Sequence, residues 1–318
     1  MTPSSTNITD PTNDARAAQH LRGEELQSIS PAAPLLPGLY VVATPIGNLR
    51  DITLRALDVL SSADHILAED TRQSRKLLQA YDIKTPISAY HDHNAAKRIP
   101  KLIEDLKSGQ SLALISDAGT PLVSDPGYKL VRSAIEAGID VFPLPGASAV
   151  LSGLVKSGLP SNQFLFAGFL PPKTSARKLA LQTFKSQQAT LIFFETGPRI
   201  AACLEDIDAV LGERPIAITR ELTKRFEEAR YGSARELIES VRSNPPKGEI
   251  VLLVGPPADR GVWPEEEVID ALGQSLIPLG IKRASTEIAG QSGWAKRDVY
   301  QLALKLKSSQ THPNENKN

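Results

Sequence analysis

Residues 111–121 read Ser111-Leu-Ala-Leu-Ile-Ser-Asp-Ala-Gly-Thr-Pro121. The apolar run that ends at Ile115 is short and unbroken, which predicts a central parallel β-strand that is buried on both faces. The polar, Gly- and Pro-containing residues that follow predict a loop at the carboxyl end of this strand. Ligands of open α/β sheets bind at such strand ends, so the stretch indicates both a fold class and the location of a site.

Strand-like and helical patterns alternate around this stretch and predict two α/β domains. The first covers residues 37–157 with a mostly parallel sheet, and the second covers residues 158–257 with a mixed sheet. The turn-rich segment Ser157–Asn162 is the predicted hinge between them. Residues 258–307 have only helical patterns, over residues 265–279, 283–290 and 295–306. The last two lie around a Gly-containing turn and resemble a helix-turn-helix, so we predict a small helical subdomain. Residues 1–36 and 308–318 have no clear period, and we expect them to be disordered tails.

The composition excludes several classes of protein. The chain has 318 residues, of which 41% are hydrophobic and 23% charged, which is enough for two packed cores. Lys and Arg number 36, as do Asp and Glu, so the chain is not globally basic although local basic patches remain open. The single cysteine excludes a disulfide framework and favours a reducing compartment. No apolar run is long enough to span a bilayer and no secretory signal is evident, so we expect a cytoplasmic protein.

Three loops at predicted strand ends have the residues of a ligand-binding edge. Their glycines, Gly47, Gly119 and Gly146, allow close approach of the backbone to a ligand, and their prolines restrict the loops before binding. The first loop is Thr44–Asn48, the second is Ser116–Pro121, which runs on to Ser124-Asp-Pro-Gly127, and the third is Leu144–Ser148. A single loop of this kind is usually only a turn, but three at successive strand ends favour a ligand site. The common phosphate-binding glycine motifs are not in the sequence.

Other polar residues have two interpretations each. Glu69 and Asp70, followed by Arg72, could orient a hydroxyl or accept its proton, whereas Asp70 could equally cap the next helix. His91 and His93 could ligate a metal from one face of a strand, or could equally belong to a polar loop at the end of a strand. No third ligand is evident, so we predict no metal. Cys203 lies in a predicted helix and is expected to be a core residue rather than a nucleophile. Asn94 is a predicted helix cap.

Several motifs, in this order, resemble those of one family. They are Thr44-Pro-Ile-Gly-Asn48, Ala68-Glu-Asp-Thr-Arg72, His91-Asp-His-Asn94, Ser116-Asp-Ala-Gly-Thr-Pro121, Leu144-Pro-Gly146, Gly168-Phe-Leu-Pro171, Arg220-Glu-Leu-Thr-Lys224 and Lys247-Gly-Glu249. The chain resembles the ribosomal RNA small subunit methyltransferase I family, which belongs to the tetrapyrrole methylase-like superfamily of S-adenosylmethionine enzymes. The resemblance covers residues 38–306. Two departures are Ala147, where many relatives have Pro, and the stretch Phe194-Glu-Thr-Gly-Pro-Arg199.

The resemblance implies a fold and an activity. The fold is two α/β domains of the tetrapyrrole methylase type with S-adenosylmethionine in the cleft between them, usually within a homodimer. The activity is 2′-O-methylation of the ribose of one cytidine, position 1402 in the usual rRNA numbering, in the 16S rRNA of the small ribosomal subunit. A ribose 2′-hydroxyl is absent from DNA, so DNA is not an expected substrate.

The resemblance and the loop pattern together give three groups of candidate residues. The expected cofactor contacts are Pro45, Gly47, Asp117, Ala118, Gly119, Thr120, Pro121, Pro145, Gly146, Ala147, Ser148, Phe166, Phe194, Glu249, Ile250 and Val251. The candidates for the base that accepts the hydroxyl proton are Glu69, Asp70, His91 and Asp92, among which the sequence does not choose. The candidate RNA contacts are Arg72, Lys173, Arg177, Lys178, Arg220, Lys224, Lys296 and Arg297.

Three other functions remain open from the sequence. The first is a methyltransferase that acts on a small tetrapyrrole. The second is a non-catalytic RNA-binding protein that uses the C-terminal helices. The third is a metal hydrolase that uses His91 and His93.

Overall fold

The computed structural model describes residues 35–257 and 261–311. Nearly all of the predicted N-terminal tail and most of the predicted C-terminal tail lie outside these residues. The described chain divides into two compact units, of which the first runs to Ser152 and also includes Leu222–Arg225. The second contains Gly153–Glu221 and the chain from Phe226 onward.

The observed division lies between Ser152 and Gly153. The division predicted from the sequence, between residues 157 and 158, lies five residues further along the chain. The helix Ala149–Ser157 runs through the observed division. Gly153 on this helix lies so close to Val251 that a Cβ atom there would be 2.9 Å from Val251 Cγ1. This packing assigns the second half of the helix to the second unit.

The first unit contains a five-stranded parallel sheet with the strand order β3-β2-β4-β1-β5. The strands are β1 Gly38–Val42, β2 His65–Ala68, β3 Ile87–Ala89, β4 Ser111–Ile115 and β5 Val141–Leu144. All five residues of β4 are buried, as expected for a central parallel strand with both faces covered. The two faces carry separate cores, one around Val42 and Ile66 and the other around Leu67 and Leu114.

Five α-helices follow the strands of this sheet, and a short 3₁₀-helix covers Leu49–Asp51. The helices are α1 Leu54–Ser62, α2 Thr71–Ala80, α3 Asp92–Lys107, α4 Tyr128–Glu136 and α5 Ala149–Ser157. The Thr53 side chain accepts a hydrogen bond from Ala56 N at the start of α1, an arrangement typical of an N-cap. Strands and helices alternate along the first unit, which confirms the pattern predicted from the sequence.

The second unit has a mixed five-stranded sheet with the order β6-β7-β10-β8-β9, in which only the β6–β7 pair is parallel. The strands are β6 Phe164–Phe169, β7 Thr190–Thr196, β8 Ile216–Arg220, β9 Glu228–Gly232 and β10 Glu249–Val254. Helices α6 Thr174–Gln182, α7 Gly197–Leu211 and α8 Ala234–Ser243 accompany it. Phe193, Leu204 and Leu252 lie in the core that one face of the sheet shares with helices.

The C-terminal part of the second unit is helical, as predicted. It consists of α9, Glu265–Ser292, and α10, Lys296–Thr311. Gly280 has a non-helical φ of 71° and divides α9 in two, close to the predicted break between residues 279 and 283. Leu272, Ile288 and Val299 belong to a separate buried cluster of these helices. Helix α10 runs past residue 308, where the sequence predicts a loose tail.

Candidate active site

The carboxyl ends of the parallel strands bring the predicted loops to one edge of the first sheet. β4 lies between β1 and β2, and Ala68 of β2 pairs with Ile115 of β4. The residues that follow these two positions, Glu69 and Ser116, therefore begin neighbouring loops. We call this the carboxyl edge of the first sheet.

The first two loops are joined by backbone hydrogen bonds. Thr44 N donates to Gly119 O and Gly119 N donates to Thr44 O, both at 2.9 Å. The Thr44 hydroxyl also donates to Ser116 O at 3.2 Å. Gly119 has a φ of 80°, a conformation that glycine adopts without strain.

The third loop lies against the other two. The Thr120 hydroxyl donates to Ala147 O at 3.3 Å. A Cβ atom on Gly146 would lie only 2.8 Å from Ala43 Cβ, so this close approach requires glycine. The structure thus brings together the predicted cofactor residues of all three loops in the first unit.

Carboxylates also gather at the carboxyl edge. Asp70 N donates to Asp117 Oδ1 at 3.1 Å. Burial, and then the nearby charges of Asp125, Asp117, Asp92 and Asp70, raise the pKa of Glu69 to about 7. Such a pKa suits a group that must exchange a proton near neutral pH.

Asp125 is a member of this group that the sequence did not single out. Burial raises its pKa to about 6, against a hydrogen bond with the Ser116 side chain that lowers it. Two non-glycine residues with positive φ precede it, Leu122 at 73° and Ser124 at 66°. Conformations of this kind cost free energy and are concentrated at functional sites. The only signal in the sequence was the Ser124-Asp-Pro-Gly127 turn that continues the second loop.

Asp70 caps helix α2, in agreement with one of its two predicted interpretations. Its carboxylate accepts a hydrogen bond from Arg72 N at 2.8 Å, and from the Arg72 guanidinium at 2.9 Å. These bonds lower the pKa of Asp70 to about 2. A carboxylate that holds protons so weakly is a poor proton acceptor at neutral pH.

The structure contradicts the metal interpretation of His91 and His93, which places both residues on one face of a strand. His91 is the N-cap of α3 and His93 lies in its first turn, because β3 ends earlier, at Ala89. Asn94 is not the cap itself; its side-chain oxygen accepts a hydrogen bond from His91 N at 3.0 Å. His91 Nδ1 is buried and has no hydrogen-bond partner among the described residues. Within residues 35–257 and 261–311, no group of three or more His, Cys, Asp or Glu residues is arranged to hold a metal.

The candidate cofactor residues of the second unit lie on three adjacent strands. The Phe166 and Phe194 ring centroids are 4.8 Å apart in an edge-to-face arrangement. Val251 of β10 pairs with Phe194 of β7. Ile250 is 2% exposed and packs in the core, so its side chain supports the fold.

Comparisons with known proteins identify the family. A family model described as Tetrapyrrole (Corrin/Porphyrin) Methylases matches residues 38–238. A protein of Mesorhizobium japonicum named ribosomal RNA small subunit methyltransferase I is 52% identical over 89% of this chain and 97% of its own length. A protein of the same name from Escherichia coli O157:H7 is 46% identical over 84% of this chain and 94% of its own.

The chain belongs to the ribosomal RNA small subunit methyltransferase I family. The resemblance seen in the sequence motifs is thereby confirmed. A solved structure described as the methyltransferase CobJ has a TM-score of 0.53 at 18% identity and covers 71% of this chain and 97% of its own. At this identity the likeness supports the fold alone.

The methyl donor of this family is S-adenosylmethionine, and the carboxyl edge suits it chemically. The donor has a positively charged sulfonium, which carboxylates and carbonyl oxygens stabilise. Asp117 is exposed at the edge, and the packed glycine at position 146 leaves the third loop without a bulky side chain. The residues present therefore fit the cofactor of the family.

The structure separates the candidate RNA contacts into exposed and buried residues. Lys173, Lys296, Arg297 and Arg72 are exposed, although Arg72 also pairs with Asp70. Arg177 is 3% exposed and is paired with Asp206 at 2.6 Å. The phosphate-binding role predicted for Arg177 does not fit this burial, because its guanidinium is enclosed by Asp206 and backbone carbonyls.

The remaining basic candidates have local contacts. Lys178 lies 3.6 Å from the Asp206 carboxylate and retains a side chain that is 44% exposed. Arg220 pairs with Glu228 at 2.6 Å. Lys224 packs against the first loop, since a Cβ atom on Gly47 would clash with Lys224 Cγ.

Cys203 is fully buried in the core of the second unit. Burial raises the pKa of its thiol to about 12, so its thiolate is scarce at neutral pH. The predicted core role is confirmed. Among the described residues, no helix combines the length and apolar character needed to cross a bilayer.

Proposed function

We propose that this protein transfers the methyl group of S-adenosylmethionine to the ribose 2′-hydroxyl of one cytidine in 16S rRNA. The observation that carries the proposal is the 52% identity, over nearly the full length of both chains, to a protein named ribosomal RNA small subunit methyltransferase I. The substrate is then RNA within the small ribosomal subunit, and DNA is excluded because it has no 2′-hydroxyl. A ribosomal substrate implies a cytoplasmic enzyme, which we further propose is a homodimer.

The cofactor supplies an activated methyl group, so alignment of the hydroxyl with it accounts for much of the rate enhancement. In the proposed site, the loop residues of the carboxyl edge hold the cofactor and keep it oriented. In the second unit, Phe166, Phe194, Glu249 and Val251 are further proposed contacts, together with the backbone of Ile250. The chemical task that remains for the protein is to accept the proton of a weakly acidic hydroxyl.

Glu69 is the best candidate for this proton acceptor. A base is effective when its pKa is close to the working pH, and the pKa of Glu69 is about 7. Asp70 is less suitable because its pKa is about 2 and both of its oxygens bind Arg72. His91 and Asp92 begin helix α3, where Asp92 contributes to the negative charge around Glu69. The ribose oxygen would take the methyl group as the carbon–sulfur bond of the cofactor breaks, S-adenosylhomocysteine would leave, and a Glu69 oxygen would accept the hydroxyl proton.

The proposed phosphate contacts are the basic candidates that remain after the buried Arg177 is set aside. They are Arg72, Lys173, Lys178, Arg220, Lys224, Lys296 and Arg297. Removal of one phosphate contact weakens binding uniformly and reduces its salt dependence by about one counterion. Arg177 is not in this set because of its burial.

Methyl transfer in vitro tests the proposal. The purified protein is incubated with S-adenosylmethionine carrying a labelled methyl group and with either small ribosomal subunits or a precorrin. We expect label in the 16S rRNA, in a nucleoside methylated on its ribose, and none in the precorrin. Label in the precorrin alone would favour a tetrapyrrole methyltransferase. Cofactor binding by calorimetry without transfer to either substrate would favour a non-catalytic RNA-binding protein.

A further inference from the structure

Strand β6 carries a bulge that changes the direction of one aromatic side chain. Phe166 pairs with Ile192 and Phe169 pairs with Phe194, so two residues of β6 lie opposite one residue of β7. Gly168, inside this irregularity, has a φ of 63°. In a regular strand, residues three apart point to opposite faces. The bulge instead brings Phe169 to the face that carries Phe166.

Four phenylalanines consequently share this face at the edge of the second sheet. Phe194 lies between Phe166 and Phe169, with ring centroids 4.8 and 5.6 Å away. Phe164 is on the same face as Phe166 because the two are separated by one residue. Phe169 is 55% exposed and Phe164 is 44% exposed. We call Phe164, Phe166, Phe169 and Phe194 the aromatic shelf.

The segment that leads up to and includes the four rings of the aromatic shelf has no acidic residue. From Ser157 to Phe194 the chain contains no Asp or Glu, although the whole chain has 36. The same segment has the lysines Lys173 and Lys185, which are exposed, and Lys178, which is half-exposed. A segment that has exposed aromatic rings and lysines but no carboxylate has the composition of a surface for single-stranded nucleic acid.

We propose that the exposed ring of Phe169, at the end of the aromatic shelf, stacks an unpaired nucleobase of the RNA substrate, whereas Phe166 and Phe194 remain the proposed cofactor contacts. The proposal rests on the proposed function and adds a base-contacting surface to it. We assign the stacking role to Phe169 because its ring is the most exposed of the four, and because the bulge sets its position. Bulges that redirect a side chain are frequent next to functional sites. Lys173, four residues further along the chain, then contributes positive charge for the RNA backbone.

The test compares Phe169→Ala and Phe169→Trp with the wild type. Loss of one base stack is worth about tenfold or more in affinity. We therefore expect Phe169→Ala to raise the KM for small ribosomal subunits about tenfold and to leave kcat unchanged. Phe169→Trp should retain the wild-type KM. Ile135→Ala is the matched control, since Ile135 is 62% exposed on α4 of the first unit.

Two further readouts separate the other possible occupants. If Phe169→Ala weakens S-adenosylmethionine binding in calorimetry as much as it raises the KM for small ribosomal subunits, Phe169 belongs to the cofactor site with Phe166 and Phe194, and the proposal is overturned. If it changes the mass in light scattering, the shelf binds a second copy of the chain, which also overturns it. An unchanged KM of Phe169→Ala for small ribosomal subunits would also overturn the proposal.

A direct binding measurement makes the result independent of methyl transfer. A single-stranded RNA oligonucleotide containing 2-aminopurine is titrated with each variant, because stacking on an aromatic ring quenches this base. We expect quenching by the wild type and by Phe169→Trp, and much less by Phe169→Ala. Equal quenching by all variants contradicts the shelf, whereas quenching without any methylation of RNA contradicts only the proposed function.

Discussion

Replacement of Glu69 by Gln is expected to slow methyl transfer by about 10² to 10⁴-fold, the usual contribution of a positioned general base. The amide has nearly the same shape but cannot accept the hydroxyl proton. The rate is measured in single turnovers with small ribosomal subunits, so that product release does not conceal the chemical step. S-adenosylmethionine affinity should change little. Glu104→Gln is the matched control, because the Glu104 side chain is 72% exposed on α3 of the same unit.

The pH dependence of methyl transfer by the wild-type protein also tests the role of Glu69. Glu69 must be ionised to act as a base, so the rate should rise with pH and level off above about 7, the pKa of Glu69. The charge of Asp125 contributes to that raised pKa. Asp125→Asn should therefore move the rise to lower pH. A rate that is independent of pH between 5 and about 8 in the wild type would contradict the role of Glu69.

The stability of the Glu69→Gln variant distinguishes loss of the base from loss of the fold. The pKa of Glu69 is raised from 4.5 to about 7 in the folded chain. Its protonation therefore favours the folded state, and this contribution is present below pH 4.5 and is lost as pH rises to about 7. The variant should be at least as stable as the wild type at pH 8. A lower melting temperature at that pH would mean that Glu69 has a structural role instead.

Replacement of Asp206 by Ala is expected to lower the free energy of unfolding by about 3–5 kcal/mol, as for other buried ion pairs that lose one partner. The change leaves the Arg177 guanidinium buried with only neutral partners. Glu205→Ala is the control on the same helix, since the Glu205 side chain is 47% exposed and pairs with Arg242 on the surface. A surface pair of this kind contributes about 0–1 kcal/mol.

Urea unfolding followed by circular dichroism measures both variants. The double variant Arg177→Met/Asp206→Leu should recover much of the lost stability, because an apolar pair has no buried charge to compensate. If Asp206→Ala lowers the free energy of unfolding by less than about 1 kcal/mol, the Arg177 guanidinium is accessible to solvent. That result would restore Arg177 as a phosphate contact.

The sequence predicts much of this fold because its strongest signals are local. The apolar run of β4 and the Gly- and Pro-containing loops after β1, β4 and β5 place three of the loops at the carboxyl edge without any knowledge of packing. The break in α9 near Gly280 is likewise visible as an interruption of the helical pattern. Parallel pairing then brings those loops together, as Thr44 and Gly119 illustrate.

The features that the sequence does not predict depend on contacts between distant residues. Arg177 looks like a surface cation until Asp206, on the next helix, is found to enclose it. The role of Asp125 depends on a loop conformation with positive φ at Leu122 and Ser124. The metal interpretation places His91 on a strand, whereas β3 ends at Ala89 and His91 is the N-cap of α3. For Arg177 and Asp125, the decisive contacts are set by tertiary packing rather than by the local pattern.

Mass spectrometry of 16S rRNA, from cells with and without a functional copy of this chain, tests the central claim most directly. We predict that one cytidine loses its ribose methyl group in the cells that lack the protein, and that wild-type protein restores it whereas Glu69→Gln does not. An rRNA whose ribose methylation is the same in both cells would contradict the proposed activity.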